Sequence, residues 1–224
     1  MTSPTISRRT FLRSAAGAGV LALAGCTTED TGPLATPRQE SSTVPTSPPV
    51  TTSMLLVYFS RPGENYWYGD RRDLEIGNTE VLATMITDRI DCDTYRIEAA
   101  DPYPDDYEET VARNVREQDQ DARPAIASPL PDLTAYDTVI LASPIWNVRP
   151  PMIMSTFVES APLGTRRLLP VTTHAMSGLG RAVEVYTDLA PDAVIGDGLA
   201  VRGEEVAEAG PDLDQWLREV ALTG

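Results

Sequence analysis

Between residue 54 and the C-terminus, short apolar runs alternate with longer segments of helical period, and this alternation limits the possible folds more than any other feature of the chain. Met54-Leu55-Leu56-Val57-Tyr58-Phe59 and Thr138-Val139-Ile140-Leu141-Ala142 are apolar at successive positions, as expected of strands covered on both faces. Weaker runs over 94–98, 168–172 and 198–201 predict three more strands. Asn78-Thr79 opens a helical pattern in which Val81, Leu82, Met85, Ile86 and Ile90 share one face. Further helices are predicted over 106–119, 152–159, 179–189 and 213–220. Strand–helix alternation implies a parallel sheet with helices on both faces, because parallel neighbours need a right-handed crossover. The expectation is an α/β protein in three layers, with a doubly wound sheet of five parallel strands ordered 2-1-3-4-5. Ligands of such sheets sit beyond the carboxyl ends of the strands, where the strand order reverses. That rule selects three loops: 60–79, 143–150 and 173–180.

Each loop suits one part of a ligand. The first holds Ser60 and Gly63, and it ends in Gly77-Asn78-Thr79 at a helix start, where free amides and the helix dipole favour a phosphate. The other reading is that Asn78 or Thr79 only caps the helix. The second loop reads Ser143-Pro144-Ile145-Trp146-Asn147-Val148-Arg149-Pro150-Pro151. An indole at the end of a strand suits stacking on a flat ring, or it packs on the neighbouring loop. The third loop reads Thr173-His174-Ala175-Met176-Ser177-Gly178-Leu179-Gly180. Its glycines allow close backbone approach. His174 is either a polar contact to a ring edge or a hydrogen-bonded structural residue.

The first 53 residues have a different character. Arg8-Arg9 precede an apolar, glycine-containing stretch that ends Leu23-Ala24-Gly25-Cys26. The stretch is shorter than the ~20 apolar residues of a membrane span and has no polar face. It resembles a twin-arginine export signal over 1–25, followed by a lipoprotein box in which Cys26 is lipidated. Residues 26–53 are rich in Thr, Ser and Pro and nearly lack large apolar groups, so they read as a disordered tether. The expected location is the outer face of the cytoplasmic membrane, held there only by the N-terminal lipid. The folded domain is expected over 54–224.

Charge narrows the partners. The chain carries 33 acidic residues against 18 basic ones, a net charge of −15, and every basic residue is arginine. Such a surface repels a phosphate backbone, so nucleic acid is not expected. It suits solubility in salt, or the steering of a basic redox partner. One histidine and two cysteines cannot form a His-rich metal centre or a zinc site.

Val57-Tyr58-Phe59-Ser60-Arg61, Gly77-Asn78-Thr79-Glu80, Leu130-Pro131-Asp132-Leu133, Ser143-Pro144-Ile145-Trp146 and Ser177-Gly178-Leu179-Gly180 together resemble the flavodoxin family. The likeness spans 54–224 and is nearest to flavodoxin-like proteins whose phosphate loop carries an insertion, here 62–76. The resemblance implies a flavodoxin-like fold and FMN as cofactor. It implies phosphate contacts from Ser60, Asn78 and Thr79, with Arg61 beside them among the cofactor-binding residues. Pro144, Ile145, Trp146 and Asn147 would lie along the flavin ring, with His174, Ser177, Gly178, Leu179 and Gly180 at its pyrimidine edge. Tyr66, Trp67 and Tyr68 of the insertion either cover the flavin or pack over the loop. The implied activity is electron transfer to a redox partner protein or a small acceptor, with no side chain needed as catalytic acid or base. Two alternatives stand beside it: an NAD(P)H-dependent flavin or quinone reductase, and a binding module that kept the fold without the flavin.

Overall fold

The computed structural model of the protein describes residues 53–223. The export signal, Cys26 and the tether up to residue 52 lie outside the described residues. In chain order the elements are β1 (Met54–Tyr58), β2 (Gly63–Trp67), β3 (Asp70–Leu74), α1 (Asn78–Thr87), β4 (Asp93–Arg96), α2 (Tyr107–Asp119) and β5 (Thr138–Pro144). Then follow α3 (Met152–Ser160), β6 (Arg167–His174), α4 (Ala182–Leu189), β7 (Val194–Ile195), β8 (Leu199–Arg202), a 3-10 helix (Gly203–Glu208) and α5 (Gly210–Glu219).

The main sheet runs β4-β1-β5-β6, with β7 and β8 both pairing parallel to β6. This is the expected order 2-1-3-4-5, with the fifth position divided between two short strands. Pro170 explains the division. Gly196 donates its N–H to Leu168 O at 2.9 Å, so Leu168 faces the outer edge. The two-residue period puts Pro170 on the same edge, where it has no N–H to offer. The ladder therefore stops after Ile195 and resumes where Leu199 meets Val171.

Strand periodicity sorts the core into two faces. Leu55 and Val57 of β1, with Val139 and Leu141 of β5, pack against Ile153 and Phe157 of α3 and Tyr186 of α4. The alternate residues Leu56, Ile140 and Ala142 pack against Leu82 and Ile86 of α1 and Leu213, Trp216 and Leu217 of α5. This gives three layers with β1 at the switch point, flanked by β4 and β5.

α2 fills its place differently. Its buried residues are Thr110, Asn114 and Glu117, all polar. Buried Tyr103 donates its hydroxyl to Glu117 Oε2 at 2.8 Å, and Arg113 Nε donates to Glu117 Oε1 at 2.7 Å. Burial, then the neighbouring carboxylate, push the Tyr103 phenol far above its ordinary range, so it stays a donor. Tyr103→Phe leaves one Glu117 oxygen without that donor and is expected to cost about 1–2 kcal/mol in a urea titration. An unchanged midpoint would show that the bond adds nothing.

The segment expected as a plain loop holds a separate antiparallel hairpin, β2 with β3. Its two-residue turn, Tyr68-Gly69, has φ of 49° and 95°, the positive pair that matches strand twist in tight hairpins. β3 reads Asp-Arg-Arg-Asp-Leu and is almost wholly exposed, so it offered no alternation to read. Two helix starts also move: α4 begins at Ala182 after a turn at 177–180, and α5 begins at Gly210. α1 ends at Thr87, and Ile90 reaches the core from the turn beyond it. Among the described residues, no helix is long and apolar enough to cross a membrane.

Candidate functional site

A cavity of about 290 Å³ opens beyond the carboxyl ends of β1, β5 and β6, where the strand order reverses. Ser60, Arg61, Asn78, Thr79, Pro144, Ile145, Trp146 and His174 line it, so all three expected loops meet there.

The α1 end is built from two distant pieces of chain. Gly77 is the N-cap residue, and no local side chain caps the helix. Ser60 does so from across the hairpin, its Oγ accepting the Glu80 N–H at 3.1 Å. The hydroxyls of Thr79 and Thr173 share a buried hydrogen bond of 2.7 Å, tying α1 to β6. Asn78 and Thr79 thus do not cap the helix with their side chains. Among the described residues, neither Asn78 N–H nor Thr79 N–H has a protein acceptor, which leaves two amides at the positive end of the helix dipole. Gly77 makes this closeness possible: a Cβ there would lie 2.4 Å from both Arg61 O and Ser60 Oγ.

Arg61 lines the cavity, but its guanidinium is committed elsewhere. It donates to Pro104 O at 2.8 Å, to Asp105 O at 3.0 Å and to Glu64 O, clamping the base of the hairpin to the loop before α2. Burial lowers its pKa, and nearby carboxylates, Asp105 first, work against that shift.

On the β5 side, Trp146 meets both expectations in part. It lines the cavity, and it also packs edge-on against Phe59 at 5.6 Å and Tyr103 at 5.2 Å. A tight turn follows, in which Trp146 and Arg149 exchange backbone hydrogen bonds of 2.9 and 3.3 Å. Asn147 and Val148 take φ of 48° and 61°, a costly conformation for a β-branched residue. Asn147 is exposed outside the cavity and donates to Gln118 Oε1 at 2.7 Å.

The third loop divides. Thr173, His174, Ala175 and Met176 line the cavity; Ser177, Gly178, Leu179 and Gly180 do not. Those four form a turn that supports its neighbours. Gly178 O accepts from Thr172 Oγ1 at 3.1 Å, and Leu179 packs over Gly198. A Cβ on Gly180 would sit 2.5 Å from Val148 O, the same oxygen that accepts the Arg181 N–H at 2.8 Å. The segment therefore buttresses the strained 146–149 turn. His174 is not the hydrogen-bonded structural histidine of the second reading, because its Nδ1 is buried without a partner. Burial, then Arg202, lower its pKa, so the ring rests neutral near pH 7.

Sequence reasoning missed Tyr107 at the start of α2 and Glu204 in the 3-10 helix, both in the cavity wall. The Glu204 side chain is 1% exposed; it accepts the Tyr68 N–H at 3.2 Å and lies 3.9 Å from Arg202. The rule that selected the three loops also points to the end of the fifth strand, where Glu204 sits. Tyr66 of the hairpin also lines the cavity.

Comparison with known proteins gives one consistent answer. The family model described as flavodoxin matches residues 75–220, well over half of the chain. A candidate flavoprotein from Bacteroides uniformis ATCC 8492 is similar at 25% identity with a TM-score of 0.60, covering 75% of this chain and 98% of its own. A second, from Bacteroides eggerthii DSM 20697, is 24% identical with a TM-score of 0.58, covering 77% and 99%. A flavoprotein in complex with FMN from Lactobacillus acidophilus NCFM shares the fold at 14% identity, with a TM-score of 0.52 over 70% and 97%. None of the curated proteins searched matches the chain. With its sheet order, its cavity at the switch point and a family match running from the end of β3 to α5, this chain belongs to the flavodoxin family.

Proposed function

We propose that the protein binds FMN in this cavity and serves as an electron carrier held outside the cytoplasmic membrane by a lipid on Cys26. The observation that carries the reading is the pair of unaccepted amides at Asn78 and Thr79, with Ser60 already closing the turn beside them. A helix start so prepared is an anion site, and backbone donors bind a phosphate without a cation. The residues present fit the group. Asn78 and Thr79 N–H groups would hold the phosphate, and Ile145 and Trp146 would flank the ring. Tyr66 and Tyr107 would wall it opposite His174. The volume of about 290 Å³ is at the small end of ligand pockets, which run ~300–1,000 Å³, so part of the ring would stay at the surface. That exposure suits exchange of electrons with a partner. FMN, when bound, supplies the redox chemistry; the chain binds, orients and excludes water. The acidic surface would steer a basic partner.

An absorbance spectrum of protein purified after native export, followed by FMN titration of the apo form, tests the reading. Yellow protein with micromolar or tighter affinity is expected; a colourless protein with no affinity overturns it. Thr79→Val removes the hydroxyl bonded to Thr173 and is expected to weaken FMN about tenfold, or ~1.4 kcal/mol. Fluorescence quenching of FMN measures this. The intact mass of the N-terminal peptide tests the anchor: an unlipidated N-terminus ahead of Cys26 would remove it.

A further inference from the structure

His174 lines two cavities. One is the candidate FMN site. The other, of about 240 Å³, lies behind it and is walled by Arg202 of β8, Glu205 and Glu208 of the 3-10 helix and Asp212 of α5. His174 ends β6 and stands in register with Arg202. The residue thus borders both the candidate ligand cavity and the acidic cleft, and one ring nitrogen is buried with no partner.

We propose that His174 takes up a proton from solvent, through the acidic cleft, when the ligand in the main cavity gains negative charge. This rests on the FMN reading. The charges around the ring favour such uptake on one condition. Arg202 opposes a cationic ring, while Glu204 and Glu205 favour it. Glu208 and Asp212 line the cleft with His174, and Arg61, Tyr66 and Tyr107 line the main cavity with it. Burial tips the present balance towards the neutral ring, so one added negative charge in the main cavity shifts it the other way. The step balances simply. One electron enters the bound flavin from a one-electron reductant, and one solvent proton binds an imidazole nitrogen. No other bond forms or breaks. The acidic cleft makes the route, since its carboxylates concentrate cations at the rear face of the ring.

The chain holds one histidine, so a sample without a histidine tag gives a single ring signal by NMR. Full-length, FMN-loaded protein is titrated with acid in the oxidised state and again after dithionite reduction. The His174 pKa is expected to rise on reduction by about one unit or more, a tenfold gain in proton affinity. Linkage is reciprocal, so between the two values the midpoint potential falls by about 59 mV per pH unit for one electron and one proton, and is flat outside them. Glu205→Gln is expected to lower both values and move that window to lower pH. Equal pKa values in the two states, within about 0.3 unit, with flavin bound and reduced overturn the proposal alone. Failure to bind flavin at all overturns both the FMN reading and this one.

Discussion

Gly77→Ala is expected to weaken FMN binding by at least ~100-fold, or ~2.7 kcal/mol. The residue has an ordinary backbone conformation, with φ of −68°, so any effect must come from space. An added Cβ meets Arg61 O and Ser60 Oγ at 2.4 Å, far inside contact distance, and Arg61 C at 2.8 Å. Two of the three atoms are backbone, so no rotamer change relieves the clash. The turn must open, which withdraws Ser60 from the Glu80 N–H and displaces the two amides that the proposed site would offer a phosphate. Overpacking of this kind also costs about 1–3 kcal/mol of stability, comparable in size to the lost affinity. Equilibrium titration at a protein concentration near the wild-type Kd measures the loss. A variant that binds within threefold of wild type would mean that the Ser60–Gly77 closure is not part of the phosphate site.

Phe157→Ala should produce the reverse pattern, a large loss of stability with the site intact. Phe157 is fully buried on α3, its ring 5.8 Å from Tyr95 across β4. It fills the centre of the face formed by Leu55, Val57 and Leu141. Removing a buried phenyl loses its transfer energy and leaves a void, which together cost about 3–5 kcal/mol. For a domain of this size each kcal/mol lowers Tm by about 2–4 °C, so a fall of roughly 10 °C is expected in a CD melt. The folded fraction should keep its FMN affinity, because α3 lines none of the cavity. A melt within 2 °C of wild type, or an affinity that falls along with the Tm, would show that the core and the site are not separable in this way. Together the two variants separate a site set by backbone closeness from a core set by volume.

The sheet was legible because burial on both faces leaves a direct mark. Leu55, Leu56 and Val57 are all apolar because one side meets α3 and the other meets α1. The helix α1 was legible for a similar reason, since it presents one stripe to the sheet. The hairpin was not, because β3 packs almost nothing and its pairing lies in backbone bonds that any side chain permits. The start of α4 was misjudged because Gly178-Leu179-Gly180 continues the helical period while bending the chain. Gly178 and Gly180 sit at φ of 57° and 50°, which the apolar pattern does not register.

The sequence by itself determined the parallel α/β class and the place of the cavity. These follow from periodicity and from the rule that loops at a switch point converge. Tertiary structure alone decided what each loop residue does. It placed the Arg61 guanidinium on the carbonyls of Pro104 and Asp105 while the residue lines the cavity. It placed Ser177 to Gly180 outside the cavity lining, with Gly180 close against Val148. It added Tyr107 and Glu204, which lie far from the three loops in the chain. The physical reason is range. Burial and period are written in neighbouring residues, whereas a guanidinium or a carboxylate takes its role from whichever carbonyl, amide or charge the packed chain brings within about 3 Å.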